Sequence, residues 1–197
     1  MNPRIAAVAV ALLAGGCATT SPQFQTGDWA ERRAALQTLD DWTLDGRVAV
    51  AAGDDGFSGG LNWEQRDGMS EITLRGPMGG AAILIEVEGD AYVVTDERGL
   101  SYDGEDARRF IERNLGPESL LPIAEMRYWL IGAPAPASPY RESVGAGGLL
   151  SSLEQSGWTV RYDRYRAAGG FTLPERIEMT TEGLRLRFAV SGWRLAP

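Results

Sequence analysis

The chain has 197 residues, of which 44% are hydrophobic and 23% charged, with a formal net charge of −8. That length suits one domain with a proper core, and the acidic balance excludes a nucleic-acid binder, which needs a basic face. Histidine is absent, which excludes Ser-His-Asp and Cys-His catalysis and imidazole metal sites.

The N-terminus reads as a processing signal. Arg4 supplies positive charge, and Ile5 to Leu13 form an apolar run too short to span a bilayer comfortably. The run ends at Leu13-Ala14-Gly15-Gly16-Cys17, which resembles a bacterial lipobox. Cys17 is the single cysteine, so no intramolecular disulfide forms, and acylation gives it a use. Residues 1–16 are then a lipoprotein signal peptide and 17–27 an acylated N-terminus with a polar tether. Residues 28–197 form one domain. Cys17 would carry a covalent diacylglycerol and a fatty acyl group, and no other cofactor is expected. Several acyl chains hold a protein at a membrane far better than one. Aspartate after such a cysteine tends to retain a lipoprotein at the inner membrane, so Ala18 resembles an outer-membrane address.

Asp28 to Leu39 predicts a helix, with Asp28 as cap and Glu31 three residues on. Trp29, Arg33, Leu36 and Leu39 fall near one face. Trp42, Leu44, Val48 and Val50 then share one strand face, and Gly46 suggests a bulge. After a turn at Asp54-Asp55-Gly56, Phe57, Leu61 and Trp63 continue the pattern. Ile72 and Leu74 alternate with Thr73 and Arg75, and Ile83, Ile85 and Val87 alternate with Leu84, Glu86 and Glu88. Tyr92 and Val94 make a fifth strand. Together these predict an antiparallel meander with one bulky apolar face.

Asp103 to Leu115 predicts a second helix with a stripe of Ala107, Phe110, Ile111 and Leu115. Pro122 opens a third, with Ile123, Met126, Trp129 and Leu130, closed by Gly132. Ala133 to Gly148 reads as a long loop. Strands resume at Trp158, Val160 and Tyr162, then Phe171 to Met179, then Leu184 to Val190 ending at Trp193. The fold class is therefore mainly β, with helices that each cover rather than fill.

No active site emerges, and the chain is not expected to be an enzyme. Gly145 to Gly148 lacks the Lys-Ser/Thr of a phosphate loop. Asp103, Glu105 and Asp106 sit where a helix dipole favours carboxylates. Glu86 and Glu88 belong to a solvated strand face. One feature stands apart: the turn Gly76-Pro77-Met78-Gly79-Gly80 carries a large apolar side chain where turns are normally polar. Met78 either folds back on its own sheet or probes a membrane or partner.

The order of motifs resembles the LolB family, outer-membrane lipoproteins that receive other lipoproteins from a periplasmic carrier. The matching pieces are the lipobox at Cys17, Trp42-Thr43-Leu44-Asp45-Gly46-Arg47, Leu61-Asn62-Trp63 and Gly76-Pro77-Met78-Gly79. Leu121-Pro122, Trp129-Leu130-Ile131-Gly132, Gly157 to Tyr162 and Leu173-Pro174 follow. The resemblance implies an open half-barrel of antiparallel strands with a helical lid over its concave apolar face. It implies an acyl-binding cavity, for which Trp42, Val48, Leu61, Trp63, Ile72, Leu74, Ile83, Ile85, Tyr92, Phe110 and Trp129 are the candidates. It also implies a delivery loop at Gly76, Pro77, Met78 and Gly79, whose apolar tip is typically leucine. The implied partners are a LolA-like carrier, acylated lipoprotein cargo and the inner leaflet of the outer membrane. Two other readings stand beside it: a lipoprotein carrier of free lipid or glycolipid, and a structural envelope lipoprotein with a solid core.

Overall fold

The computed structural model describes residues 28–76, 82–115 and 121–196. Cys17, Pro77, Met78 and Gly79 lie outside the described residues, as do the expected signal peptide and tether. Helix α1 (Trp29–Gln37) precedes a six-strand meander: β1 (Trp42–Ala52), β2 (Asp55–Arg66), β3 (Met69–Arg75), β4 (Ala82–Glu88), β5 (Ala91–Thr95) and β6 (Ser101–Asp103). Helices α2 (Gly104–Leu115) and α3 (Ile123–Leu130) follow. Five more strands complete the fold: β7 (Tyr140–Val144), β8 (Leu150–Gln155), β9 (Trp158–Ala168), β10 (Phe171–Thr181) and β11 (Leu184–Leu195).

All eleven strands belong to one antiparallel sheet in the order β6-β5-β4-β3-β2-β1-β11-β10-β9-β8-β7. It stays open, because β6 and β7 are its two edges. The first and last strands are neighbours at its centre. They pair from Trp42 with Leu195 to Ala52 with Leu184, with a register shift between Asp45 and Gly46. The bulge expected at Gly46 is therefore present, and its cause is contact: a Cβ there would sit 2.5 Å from the Ala189 carbonyl oxygen.

Alternation accounts for the strands that the pattern foretold. It missed β6, β7 and β8, of which β7 falls in the stretch expected to be loop. The reasons are physical. β7 is an edge strand whose side chains are mostly exposed, so it needs no apolar face. In β8 the buried positions are Leu150, Leu153 and Gln155, which breaks the period of two. A register shift between Ser143 and Val144 accompanies this. In α1 the cap is as expected, with Asp28 Oδ1 accepting from Glu31 N at 3.2 Å. Its buried positions are Arg32 and Leu36, whereas the expected face held Arg33. Arg33 instead donates to the Tyr140 hydroxyl at 2.7 Å.

Gly59 is the position where a side chain is least tolerable. A Cβ would overlap the Arg75 carbonyl oxygen and come within 2.6 Å of Phe57 Cζ. The neighbours are backbone and a ring, so neither yields cheaply. Gly59→Ala is expected to cost about 3 kcal/mol by forcing β2 and β3 apart. Urea unfolding measures it, and a loss under half a kilocalorie would show that the strands separate freely.

Candidate functional site

The inward face of the sheet is apolar across its full width. One row runs through register partners Trp193, Leu44, Trp63, Ile72, Ile85, Val94 and Tyr102. A second runs Val50, Leu186, Met179, Val160 and Leu153 in the other half. Side chains at alternate positions face one side, so each strand contributes every second residue. Most of these residues are buried in a single cluster, and the three helices contribute to it.

The helices hold the sheet in two different ways. α3 is locked by polar contacts: Trp129 Nε1 donates to Gln155 Oε1 at 2.8 Å, and the Tyr162 hydroxyl donates to the Trp129 carbonyl at 2.9 Å. Burial pushes the Tyr162 hydroxyl well above the usual range, so it remains a donor at any physiological pH. α1 is tied down by Arg32 to the Thr172 carbonyl, by Gln37 to the Pro134 carbonyl and by Trp29 Nε1 to Glu142. Burial lowers the Arg32 guanidinium from its ordinary value.

α2 is different. It lies against β2, β5 and β6. Among the described residues, its side-chain ion pairs run within the helix, Arg108 with Glu105 and Glu112, and Arg109 with Asp106. Its grip on the sheet is apolar. Ala107 and Ile111 are buried, and Phe110 stacks on Tyr102 with ring centroids 5.0 Å apart.

Beside Phe110 of α2 lies a cavity of about 240 Å³ lined by Phe57, Leu74, Gly76, Ile83, Asp96, Glu97, Arg98 and Phe110, and Gly104, Arg108 and Ile111 of the same helix border a second of about 720 Å³ with Tyr92. The first is apolar on the sheet side and charged at the rim. It adjoins the β3–β4 connection through Gly76. A groove of about 730 Å³ lies elsewhere and includes Arg47, Arg161, Arg176 and Arg187. Glu178 accepts from Arg187 Nε there at 2.8 Å, which holds its carboxyl below the usual range. Val48, Tyr162, Ile177 and Phe188 line the same groove, so it mixes apolar side chains with guanidinium groups.

Of the eleven residues expected to bind acyl chains, Leu74, Ile83 and Phe110 line the first of the two cavities beside α2. Trp42, Val48, Leu61, Trp63, Ile72 and Ile85 are buried in the cluster beneath the helices. Trp42 packs between Trp63 and Trp193, with centroids at 6.0 and 5.5 Å. Tyr92 is half-buried, and its hydroxyl donates to the Leu121 carbonyl at 3.2 Å. Trp129 is fully buried against Trp158 in the other half of the sheet, apart from the group around Phe110. Sequence reasoning missed Phe57 and the Asp96 turn. Phe57 carried a signal, since it shares a face with Leu61 and Trp63.

Asp96 shapes the rim. Its Oδ1 accepts from Arg98 N at 2.9 Å and Leu100 N at 3.0 Å, and its Oδ2 from the Tyr102 hydroxyl at 3.3 Å. The Leu100 amide first, with the Arg98 amide and guanidinium, holds this carboxyl below the usual carboxylate range. A carboxyl lowered by folding stabilises the fold fully above its unfolded value, near pH 4, and loses that contribution as pH falls through its folded value. Asp96→Asn is therefore expected to flatten the acid side of the stability curve below about pH 4, read by thermal unfolding across pH. An unchanged acid limb would show that the turn holds without the charge.

A family model described as Outer membrane lipoprotein LolB matches residues 40–193. The chain belongs to the LolB family. The outer-membrane lipoprotein LolB of Pseudomonas paraeruginosa is 36% identical over 196 residues, covering 96% of this chain and 94% of its own. That of Stutzerimonas stutzeri is 33% identical, covering 94% and 92%. A solved LolA superfamily protein from Nitrosomonas europaea shares the fold, with a TM-score of 0.52 at 12% identity over 88% of this chain and 94% of that one. Like its LolB relatives, the chain is an outer-membrane lipoprotein.

Proposed function

We propose that this LolB family member accepts acylated lipoproteins from a LolA-like periplasmic carrier onto its apolar face and passes them into the inner leaflet of the outer membrane. The observation that carries the reading is the asymmetric hold of the helices. α3 and α1 are bound by the hydrogen bonds described, whereas α2 packs on the sheet through Ala107, Ile111 and the Phe110–Tyr102 stack, and Phe110 borders a cavity that reaches Gly76.

Energetics require such a cover. Each buried CH₂ contributes roughly 0.8 kcal/mol, so a chain of about fifteen contributes on the order of 12 kcal/mol. Several chains will not cross water unaided, so they must move between covered sites. The cavity of about 240 Å³ is smaller than the ~300–1,000 Å³ usual for ligand sites. Loading that cavity calls for α2 to shift, widening it toward the space of about 720 Å³ beside Tyr92 and Ile111. Apolar contacts suit that motion, because lipid replaces them with contacts of the same kind and leaves no polar group unpaired. Direction comes only from differences in affinity, carrier to receptor to bilayer. No bond need break in the cargo.

The test is transfer. A carrier loaded with an acylated lipoprotein is mixed with vesicles that do or do not hold this protein through Cys17. Cargo is expected in the vesicle fraction only when the protein is present. Cargo that stays on the carrier in both cases would end the reading.

A further inference from the structure

Resting on that reading, we infer that Trp63 and Gln65 form a donor pair that binds the ester carbonyl oxygens of a diacylglyceryl group while its hydrocarbon lies along the apolar face. Both residues are only 2% exposed. Trp63 Nε1 and Gln65 Nε2 are buried and make no hydrogen bond. Gln65 Oε1 is occupied, accepting from Ser70 Oγ at 2.6 Å, so the amide is oriented with its N–H groups free.

Buried donors are rarely left unpaired, because each costs about 1–3 kcal/mol. Here two stand on one strand face at i and i+2, which is about 7 Å apart along the strand. That spacing suits two acceptors on one small framework. Their register partners are Trp42, Leu44, Ile72 and Ser70, all uncharged. A pair of neutral donors among neutral neighbours fits ester or amide carbonyls, and it does not fit a phosphate or free carboxylate, which demands a countercharge.

The position is right for a polar head. Gln65 and Ser70 flank the β2–β3 turn, where Arg66, Asp67, Gly68 and Met69 are exposed. Met69 is a large side chain left 41% exposed at this rim. From Ser70 the face runs four residues along β3, about 13 Å, to Leu74 at the cavity beside Phe110. A glyceride seated with its esters at Trp63 and Gln65 would point its tails toward that cavity. The ester chemistry is shared by a cysteine-linked diacylglyceryl group and by a phospholipid.

The experiment is a competition on the mature acylated chain in mild detergent, read by native mass spectrometry. Equal amounts of a dipalmitoyl glyceryl-cysteine peptide and its dihexadecyl ether analogue, which lacks the carbonyls, compete for the protein. Wild type is expected to prefer the ester by about tenfold, and Trp63→Phe with Gln65→Met to bring the ratio near one by weakening the ester. A wild-type ratio near one overturns the pairing and leaves the receptor reading intact, and so does a preference that survives in the double variant. Failure of wild type to bind either lipid overturns both. If the variants do not fold, the wild-type ratio alone decides. A third arm with phosphatidylethanolamine supports the assignment whichever source wins: binding equal to the peptide marks the ester alone as the determinant, and weaker binding marks the cysteine-linked form.

Discussion

Met78→Glu is expected to leave cargo uptake from the carrier intact and to cut delivery into vesicles by at least about tenfold. The residue lies outside the described part of the structure, but the ends of its loop do not. Arg75 pairs with Ala82, so the strand ends on either side of residues 77–81 are neighbours, and Gly76 borders the cavity beside Phe110. Entry of a methionine side chain into a bilayer is worth about 1.5–3 kcal/mol, and each 1.4 kcal/mol is a factor of ten. A carboxylate forfeits that gain and adds a charge that the hydrocarbon rejects. Met78→Leu keeps size and polarity and is expected to behave as wild type. Liposome insertion after pre-loading separates the two steps. Normal insertion by Met78→Glu with normal uptake would remove the loop from the delivery step.

The second large effect is on stability. Gln155 is buried and uses its whole amide. Its Oε1 accepts from Trp129 Nε1 at 2.8 Å and Ala135 N at 2.9 Å, and its Nε2 donates to the Ala135 and Ser138 carbonyls, both at 2.8 Å. It thereby ties β8 to α3 and to the segment after it. Gln155→Leu strands four partners at once. At about 1–3 kcal/mol for each buried group left unpaired, and allowing for partial relaxation, a loss of about 4 kcal/mol is expected. For a domain of this size that is roughly 10 °C of melting temperature. Thermal and urea unfolding check it. A drop under about 1 kcal/mol would show that the polar lock on α3 carries little of the fold.

How far the residues themselves disclosed this molecule depends on which force placed each segment. β1 to β5, β9 and β11 face water on one side and grease on the other, so alternation betrays them. α2 and α3 show a stripe for the same reason. β7 was opaque, because an edge strand of exposed side chains has nothing to bury. β8 was opaque because one of its three buried positions is a glutamine, and a buried polar residue looks like a surface one until its partners are known. The same holds for Arg32, which fills the inward position of α1 in place of the expected Arg33. The bulky face was legible as apolar, and Trp42, Leu61, Trp63, Ile72 and Ile85 are buried on it, whereas Trp129 packs on Trp158 in the other half of the sheet. Which of them border space was not legible, since periodicity says which side a residue faces and nothing of what covers it. Trp63 and Gln65 show the limit most plainly. Their sequence marks them as inward-facing, but only packing reveals that their nitrogens have no partner.

The central place of β1 beside β11 bears on assembly. Each half of the sheet is built from neighbours in the chain and can form early. The seam between halves joins residue 42 to residue 195, so it cannot form until almost the entire polypeptide has emerged on the far side of the inner membrane. Contacts of such long range are slow to make. Until then both halves present greasy edges without their covering, and the span in which a partly exported chain is vulnerable to clumping is set by that last pairing.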